Sequence, residues 1–156
     1  MMQSFIATGL ISVLWIVVGF GLAFGKSLNG FIGDPREFFM MHGINAHGPW
    51  SLAPTIPILL FALFQMKFAI ITPALVVGAT AERIRFSSYI LFMILFSLFL
   101  FYSPIAHWNW HPDGFLAKMG VIDFAGGTVV HISAGCAALA GAIMLKRRKV
   151  HVTKKK

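Results

Sequence analysis

Residues 5–24 decide the fold; they read FIATGLISVLWIVVGFGLAF and contain no charged side chain. An α-helix rises about 1.5 Å per residue, so a stretch of this length crosses a hydrocarbon core of roughly 30 Å. A secretory signal peptide would place basic residues ahead of a shorter apolar stretch, whereas the first basic residue here, Lys26, follows it. We therefore expect a membrane-spanning helix that is retained in the mature protein.

Three further stretches have the same character. Spans are predicted at about residues 55–81, 86–106 and 124–145, with Lys67 as the one Lys, Arg, Asp or Glu among them and His131 as an embedded imidazole. Hydrophobic residues make up 58% of the chain and charged residues 12%, whereas a soluble domain carries about 25% charged residues. Mean hydropathy is +0.80. These values exclude an ordinary soluble domain and predict an all-α membrane protein whose partner is the lipid bilayer.

The net charge of +8 comes from one end of the chain. Seven of the thirteen Lys and Arg residues lie in residues 146–156, while residues 1–145 hold six basic and five acidic side chains. Because no basic groove or patch remains in the body, we expect no nucleic-acid partner. Cys136 is the single cysteine, which excludes an internal disulfide framework and a cysteine-based zinc site. The sequence therefore predicts no metal site.

Basic residues also indicate the orientation in the membrane. The turn at 82–85 and the segment 146–156 together hold nine Lys and Arg residues, while the two alternate loops hold three: Lys26, Arg36 and Lys118. The positive-inside rule then places the N-terminus, the turn and the C-terminus in the cytoplasm, in a multi-pass protein of the cell (inner) membrane. Residues 149–156 are predicted to form a basic cytoplasmic tail, which either contacts anionic headgroups or only sets the topology.

Polar side chains inside the predicted spans are candidates for function, because they are costly to bury in lipid. Asp123 and His131 are eight residues apart, which predicts one face of a single helix with the imidazole about 12 Å deeper. They would then line a polar path in which an uncharged imidazole suits a small amine. Asp123 alternatively caps the helix N-terminus, and His131 alternatively bonds to a neighbouring helix.

Aromatic residues at helical spacing add a second set of candidates. Phe64 and Phe68 are four residues apart on the second predicted span, so they stack on one face as a packing pair or as a hydrophobic constriction. Trp108 and Trp110 lie at the outer end of the third span, where an aromatic belt is common. The face of Trp110 also offers a cation–π contact at the mouth of a path.

Residues 123–131 read DFAGGTVVH and resemble the signature of the ammonium transporter family, the Amt, MEP and Rh group. Three stretches support the resemblance in order: FQMKFAIITPAL at 64–75, ATAERIRF at 79–86 and PIAHWNW at 104–110. The resemblance implies an α-helical fold of eleven spans built from an inverted repeat. It also implies a homotrimer with one pore per subunit, which is a channel for ammonium or ammonia, uses no cofactor and is not an enzyme.

The resemblance also implies roles for individual residues. Trp110 matches the aromatic residue of the outer substrate-recruitment site, with Trp108 as the alternative because the spacing to the acidic residue varies among family members. Asp123 matches the acid near that site. Phe68 matches one of two stacked gate phenylalanines, Phe64 a neighbouring aromatic of the vestibule, and His131 the first of two paired pore histidines.

The resemblance extends over four of the family's spans, the second to the fifth, in a partial transporter domain at residues 1–148. The second gate phenylalanine, the serine of the outer site and the second pore histidine belong to later spans of the family. We therefore expect a truncated chain that is not competent for transport alone. The alternative is a non-transporting membrane fragment that co-assembles with full-length subunits or is inert.

The predicted orientation can be tested by cysteine labelling in a Cys136→Ser background. A cysteine at Lys154 should react with a membrane-impermeant reagent only after the cells are permeabilised, because the tail is predicted to be cytoplasmic. A cysteine at Lys118 should react in intact cells and serves as the outer control. The opposite labelling pattern would show that the orientation is reversed.

Overall fold

The structure is a computed structural model that describes residues 2–45, 48–100 and 102–146. The predicted tail at 149–156 lies outside the described residues. Four helical spans are long and apolar enough to cross a membrane: Met2–Phe24, Ile58–Thr80, Phe86–Lys118 and Gly127–Leu145. This confirms the predicted all-α membrane fold.

The first span is built from three helical pieces, of which the first packs on the second span and the last packs on the third span. Helix α1 is Met2–Leu14, a π-helical turn covers Trp15–Gly19, and α2 is Phe20–Phe24. The buried Trp15 indole Nε1 donates a hydrogen bond to the carbonyl oxygen of Ala62, 3.0 Å away in the second span. Because lipid supplies no hydrogen-bond partners at this depth, such a bond joins the two helices strongly.

Two short hairpins connect the first and second spans. Strand β1 (Ser27–Leu28) pairs antiparallel with β2 (Ile32–Gly33), and β3 (Pro49–Trp50) pairs antiparallel with β4 (Ala53–Pro57). The second span, α3, is Ile58–Thr80, so it begins three residues later than the predicted start near 55. Proline favours extended backbone at the preceding residue, and Pro57 itself is extended; the helix therefore begins only after it.

The third span is longer than predicted. It contains α4 (Phe86–Leu95), a π-helical turn (Phe96–Leu100), α5 (Tyr102–Trp110) and a short α6 (Phe115–Lys118). Helix α5 continues past residue 106, so residues 107–110 are helical, where the sequence predicts a loop.

The His107 side chain holds this end of α5 in place. Its buried ring donates from Nδ1 to the carbonyl oxygen of Ala23 at 2.9 Å, and its Nε2 accepts from the Ser27 hydroxyl at 2.8 Å. A carbonyl oxygen only accepts, so this pair of bonds defines the Nδ1–H tautomer. One imidazole thus joins the first span, the β1–β2 hairpin and α5.

The last span begins later than the predicted residue 124. A π-helical turn covers Gly127–Ile132 and continues as α7 (Ser133–Leu145). Gly126 precedes it with φ of 84°, in the left-handed region that glycine adopts most readily, and this prevents the helix from extending backwards. Helix α7 packs along α3, where Ala134 is buried against Val76 and Phe96. Small side chains on α7 allow this close approach.

The β1–β2 hairpin docks on the end of the first span through glycines, which yields a stability test. A side chain at Gly33 would overlap the carbonyl oxygen of Gly21, and that backbone cannot rotate away. Gly33→Ala should therefore lower the free energy of unfolding by about 1–3 kcal/mol. Unfolding would be followed by titrating dodecyl sulfate into mixed micelles.

Gly9→Ala is the matched control, because nothing lies within 4 Å of a β-carbon built at Gly9 in α1. It should be neutral or stabilise by up to about 1 kcal/mol through helix propensity. Equal unfolding curves for Gly33→Ala and the parent protein would contradict the docking of the hairpin.

Candidate functional site

A hollow of about 620 Å³ opens at the end of the bundle where α3 begins and α5 ends. Its walls come from five parts of the chain: the first span, the turn between β3 and β4, α3, α5 and the segment that precedes the last helix. The lining residues are Phe24, Leu52, Phe61, Phe64, Gln65, Phe68, Asn109, Trp110, Val121, Ile122, Asp123, Phe124 and Ala125. The hollow therefore gathers Trp110, Asp123, Phe64 and Phe68, four of the six residues that the sequence singles out.

The aromatic wall is a continuous set of ring contacts centred on Trp110. The Trp110 ring meets Phe68 edge-on, with centroids 5.8 Å apart, and lies nearly parallel to Phe24 at 6.5 Å. Phe68 in turn meets Phe64 edge-on at 5.1 Å. Phe64 and Phe68 therefore lie on one face, as predicted, and that face borders the hollow.

Trp108 lies elsewhere on α5, away from the lining of the hollow. Its indole Nε1 donates to the carbonyl oxygen of Phe31 at 2.6 Å, and its ring packs against Phe31 and Phe115. Of the two tryptophans considered for the recruitment role, the structure brings only Trp110 into the hollow.

Asp123 lines the hollow and also holds the start of the last helix. Its Oδ2 accepts a hydrogen bond from the backbone N–H of Val129 at 3.0 Å, in the first turn of the helix. The carboxylate thus accepts a free N–H of the first turn, as the capping interpretation predicts, but Gly126 rather than Asp123 occupies the N-cap position. The predicted shared helical face of Asp123 and His131 is wrong, because the left-handed Gly126 separates Asp123 from the helix. The carboxylate instead reaches back over the helix N-terminus, where the helix dipole also favours a negative charge.

The electrostatics of the hollow favour cations. Asp123 is the one acidic side chain among the described lining residues, and no Lys, Arg or His is among them. Aromatic faces attract cations, by about 0.5–2 kcal/mol each. A wall with one carboxylate and several aromatic rings is thus suited to a small monovalent cation rather than to an anion.

His131 is not part of this wall. It lies in the π-helical turn, on the exposed side of the last span, in the same row as Leu139 and Ile143, which are also exposed. Within the part of the chain that the structure describes, its ring has no hydrogen-bond partner, so the alternative of a bond to a neighbouring helix is not observed. Lys67 is likewise exposed on α3, outside the lining of the hollow.

Among residues 2–45, 48–100 and 102–146, an ion pair joins Lys118 to Asp113 at 3.2 Å, near the surface. The same residues contain no cluster of three His, Cys, Asp or Glu side chains that would hold a metal ion.

Sequence reasoning missed one polar group of the wall and undervalued another. Asn109 was not a candidate, because its position beside two tryptophans is typical of an interfacial belt. Gln65 lies within the second predicted span, but the sequence pattern assigns it no role. Both amides line the hollow, and each has a buried carbonyl oxygen without a hydrogen-bond partner among the described residues. Leaving such a group unpaired costs about 1–3 kcal/mol.

The four spans and the cation-attracting hollow define an integral, multi-pass membrane protein. The model of the Ammonium Transporter Family matches residues 1–156, and the chain belongs to this family. It is 47% identical over 147 residues to an ammonium transporter of Aquifex aeolicus, an alignment that covers 94% of this chain and 34% of the relative. It is 43% identical over 148 residues to an ammonium transporter of Bacillus subtilis. That alignment covers 95% of this chain and 35% of the relative.

Solved structures agree with the sequence relatives. The crystal structure of Saccharomyces cerevisiae Mep2 superposes with a TM-score of 0.84 at 36% identity, covering 94% of this chain and 33% of Mep2. The chain thus spans about a third of the length of the relatives it matches. Its fold corresponds to that portion of an ammonium transporter.

The two features of Asp123, its cap and its charge, can be separated by substitution. Asp123→Ala should remove the acceptor for the Val129 N–H and lower the free energy of unfolding by about 1 kcal/mol. Asp123→Asn keeps an oxygen acceptor and should change stability by less than about 0.5 kcal/mol, because asparagine caps helices as well as aspartate. The measurement is hydrogen exchange of the Val129 amide in lipid nanodiscs. Unchanged exchange in Asp123→Ala would contradict the cap.

Proposed function

We propose that this chain forms part of the conduction path of an ammonium transporter. Trp110 and Asp123 recruit the cation, Phe68 and Phe64 form the gate beneath it, and His131 belongs to the pore interior. The single observation that carries the proposal is the hollow, which brings four of these five residues together around one negative charge. Membership of the family supports it independently.

The chemistry of ammonium explains why such a wall is useful. Ammonium is strongly hydrated and close in size to potassium, so a pore diameter alone does not select it. The Trp110 face and the Asp123 carboxylate attract the cation electrostatically while it still keeps part of its water. The edge-to-face pair of Phe68 and Phe64 offers no hydrogen bonds, so passage beyond it requires loss of that water. An imidazole ring nitrogen of His131 then provides an acceptor deeper in the membrane.

The last span is largely uncovered within this chain, which supports a role within a larger assembly. Only 22% of its most apolar stretch is buried within the chain, against 56% for the third span. His131 lies on this uncovered side. We infer that other spans of a complete transporter cover it, in a homotrimer with one path per subunit. In that assembly the N-terminus and C-terminus are cytoplasmic, and the hollow opens on the outer face of the cell membrane.

A second candidate function follows from the same uncovered surface. A four-span chain that buries little of its last span can associate with full-length subunits without conducting ammonium. Under either function the chain alone, expressed in cells that lack ammonium transporters, should not restore growth on limiting ammonium. Uptake above background that His131→Ala abolishes would show that the chain conducts by itself.

The residue roles can be tested in a chimera that joins this chain to the remaining two-thirds of the Aquifex aeolicus relative. Trp110→Leu should raise the half-saturating methylammonium concentration about tenfold, which corresponds to about 1.4 kcal/mol of lost cation binding. His131→Ala should instead lower the maximal flux with little change in half-saturation. The measurement is uptake of labelled methylammonium.

Trp108→Leu is the matched control, since Trp108 lies on the same helix but outside the lining of the hollow. Its uptake, normalised to the amount of inserted protein, should equal that of the parent chimera. Identical kinetic defects in Trp110→Leu and His131→Ala, or no defect in either, would contradict the proposed division of roles.

A further inference from the structure

Two amide side chains line the hollow, one from each of the helices that carry its aromatic wall. Gln65 lies on α3 between the two phenylalanines of the wall, and Asn109 lies on α5 directly before Trp110. Gln65 is 9% exposed and Asn109 is 6% exposed, yet both line the hollow. Each is therefore a buried polar side chain that borders this one space.

The carbonyl oxygens of these amides lack a partner. Gln65 Oε1 and Asn109 Oδ1 are both buried and accept no hydrogen bond from the described residues. For Asn109 the orientation of the amide is determined, because its Nδ2 donates to the carbonyl oxygen of Ile105 at 2.9 Å. A carbonyl oxygen only accepts, so the opposite end of the amide must be the oxygen.

A buried acceptor without a donor is unfavourable, and buried polar groups are almost always paired. The rest of the wall supplies no cationic donor, since its described residues include no Lys, Arg or His. The missing donors are therefore expected on molecules that enter the hollow. Water supplies such donors, and so does a cation that bears N–H groups.

We propose that the amide oxygens of Gln65 and Asn109 accept hydrogen bonds from the N–H groups of ammonium and so contribute to its selection. This inference rests on the proposed function, because it concerns the same hollow. The aromatic faces attract any small organic cation, whether or not it carries N–H groups. The two amides add the part of the recognition that depends on donors, and they replace water molecules that the cation loses.

The proposal predicts a difference between two cations. Ammonium has four N–H donors, whereas tetramethylammonium has the same charge and none. Gln65→Met combined with Asn109→Leu removes both oxygens with little change in side-chain volume. This double variant should bind ammonium about tenfold more weakly, while its affinity for tetramethylammonium should change less than twofold.

Binding is measured on the full chain in lipid nanodiscs, from the tryptophan emission change that Trp110→Leu abolishes. Titrations use ammonium chloride and tetramethylammonium chloride at constant ionic strength. Retained tetramethylammonium binding shows that the hollow of each variant is folded. Gln3→Met is the matched control, because Gln3 lies at the opposite end of the first span, outside the lining of the hollow, and it should bind both cations like the parent.

Gln65→Glu keeps an acceptor oxygen at the same place and should bind ammonium at least as well as the parent protein. If the double variant lost the same factor of affinity for ammonium and for tetramethylammonium, the amide proposal would be overturned. It would also be overturned if the double variant bound ammonium as tightly as the parent protein does. In either case Trp110-dependent binding by the parent would leave the proposed function intact. No saturable, Trp110-dependent binding by the parent would overturn both.

Discussion

The hydrocarbon core of the membrane is the constraint on which this structure depends. Lipid offers no hydrogen-bond partners, so every backbone group at depth must be satisfied within a helix or by another helix. The chain meets this demand with four helical spans and with polar side chains that bond to backbone carbonyls of neighbouring spans. Trp15 bonds to Ala62, Tyr89 to Gln3 and His107 to Ala23. These bonds fix how the spans lie against one another, and hence where the hollow lies.

The hollow forms where helices end, because irregular backbone is tolerated only at the membrane surface or around a polar space. Asp123 shows how structure and chemistry are coupled there. Its carboxylate satisfies a free N–H of the last helix, and the same bond holds a negative charge beside Trp110 and Phe68. Left-handed Gly126 makes this possible, since it turns the chain between the carboxylate and the helix. A cap that stabilises the helix therefore also defines the electrostatics of the site.

Much of the architecture could be predicted from the sequence, because uncharged stretches about 20 residues long have few alternatives to spanning a membrane. The helix ends were less predictable. Proline at 57 and the left-handed glycine at 126 shortened two predicted spans, while contacts of His107 that are distant in sequence extended the third. Helical spacing correctly placed Phe64 with Phe68, since both lie within one regular helix. The same argument failed for Asp123 and His131, whose connecting backbone is not helical.

The candidate site was predictable in its residue types and less so in its full membership. Trp110, Phe68 and Asp123 emerged from resemblance and chemistry, but their convergence required the packing of α3, α5 and the last span. Asn109 was not predictable, because an amide beside tryptophans has no pattern that distinguishes a pocket from a membrane interface. Only its burial among the lining residues, with a carbonyl oxygen that has no hydrogen-bond partner among the described residues, sets it apart.

The central claim is that ammonium occupies the hollow beside Trp110. Solid-state NMR can test it directly, by measuring dipolar contact between ¹⁵N-ammonium and ¹³C-labelled tryptophan rings of the chain in lipid bilayers. The account predicts a contact within about 6 Å that is confined to the Trp110 ring and disappears in Trp110→Leu. Contact with Trp15 or Trp108 instead, or with no tryptophan at saturating ammonium, would contradict it.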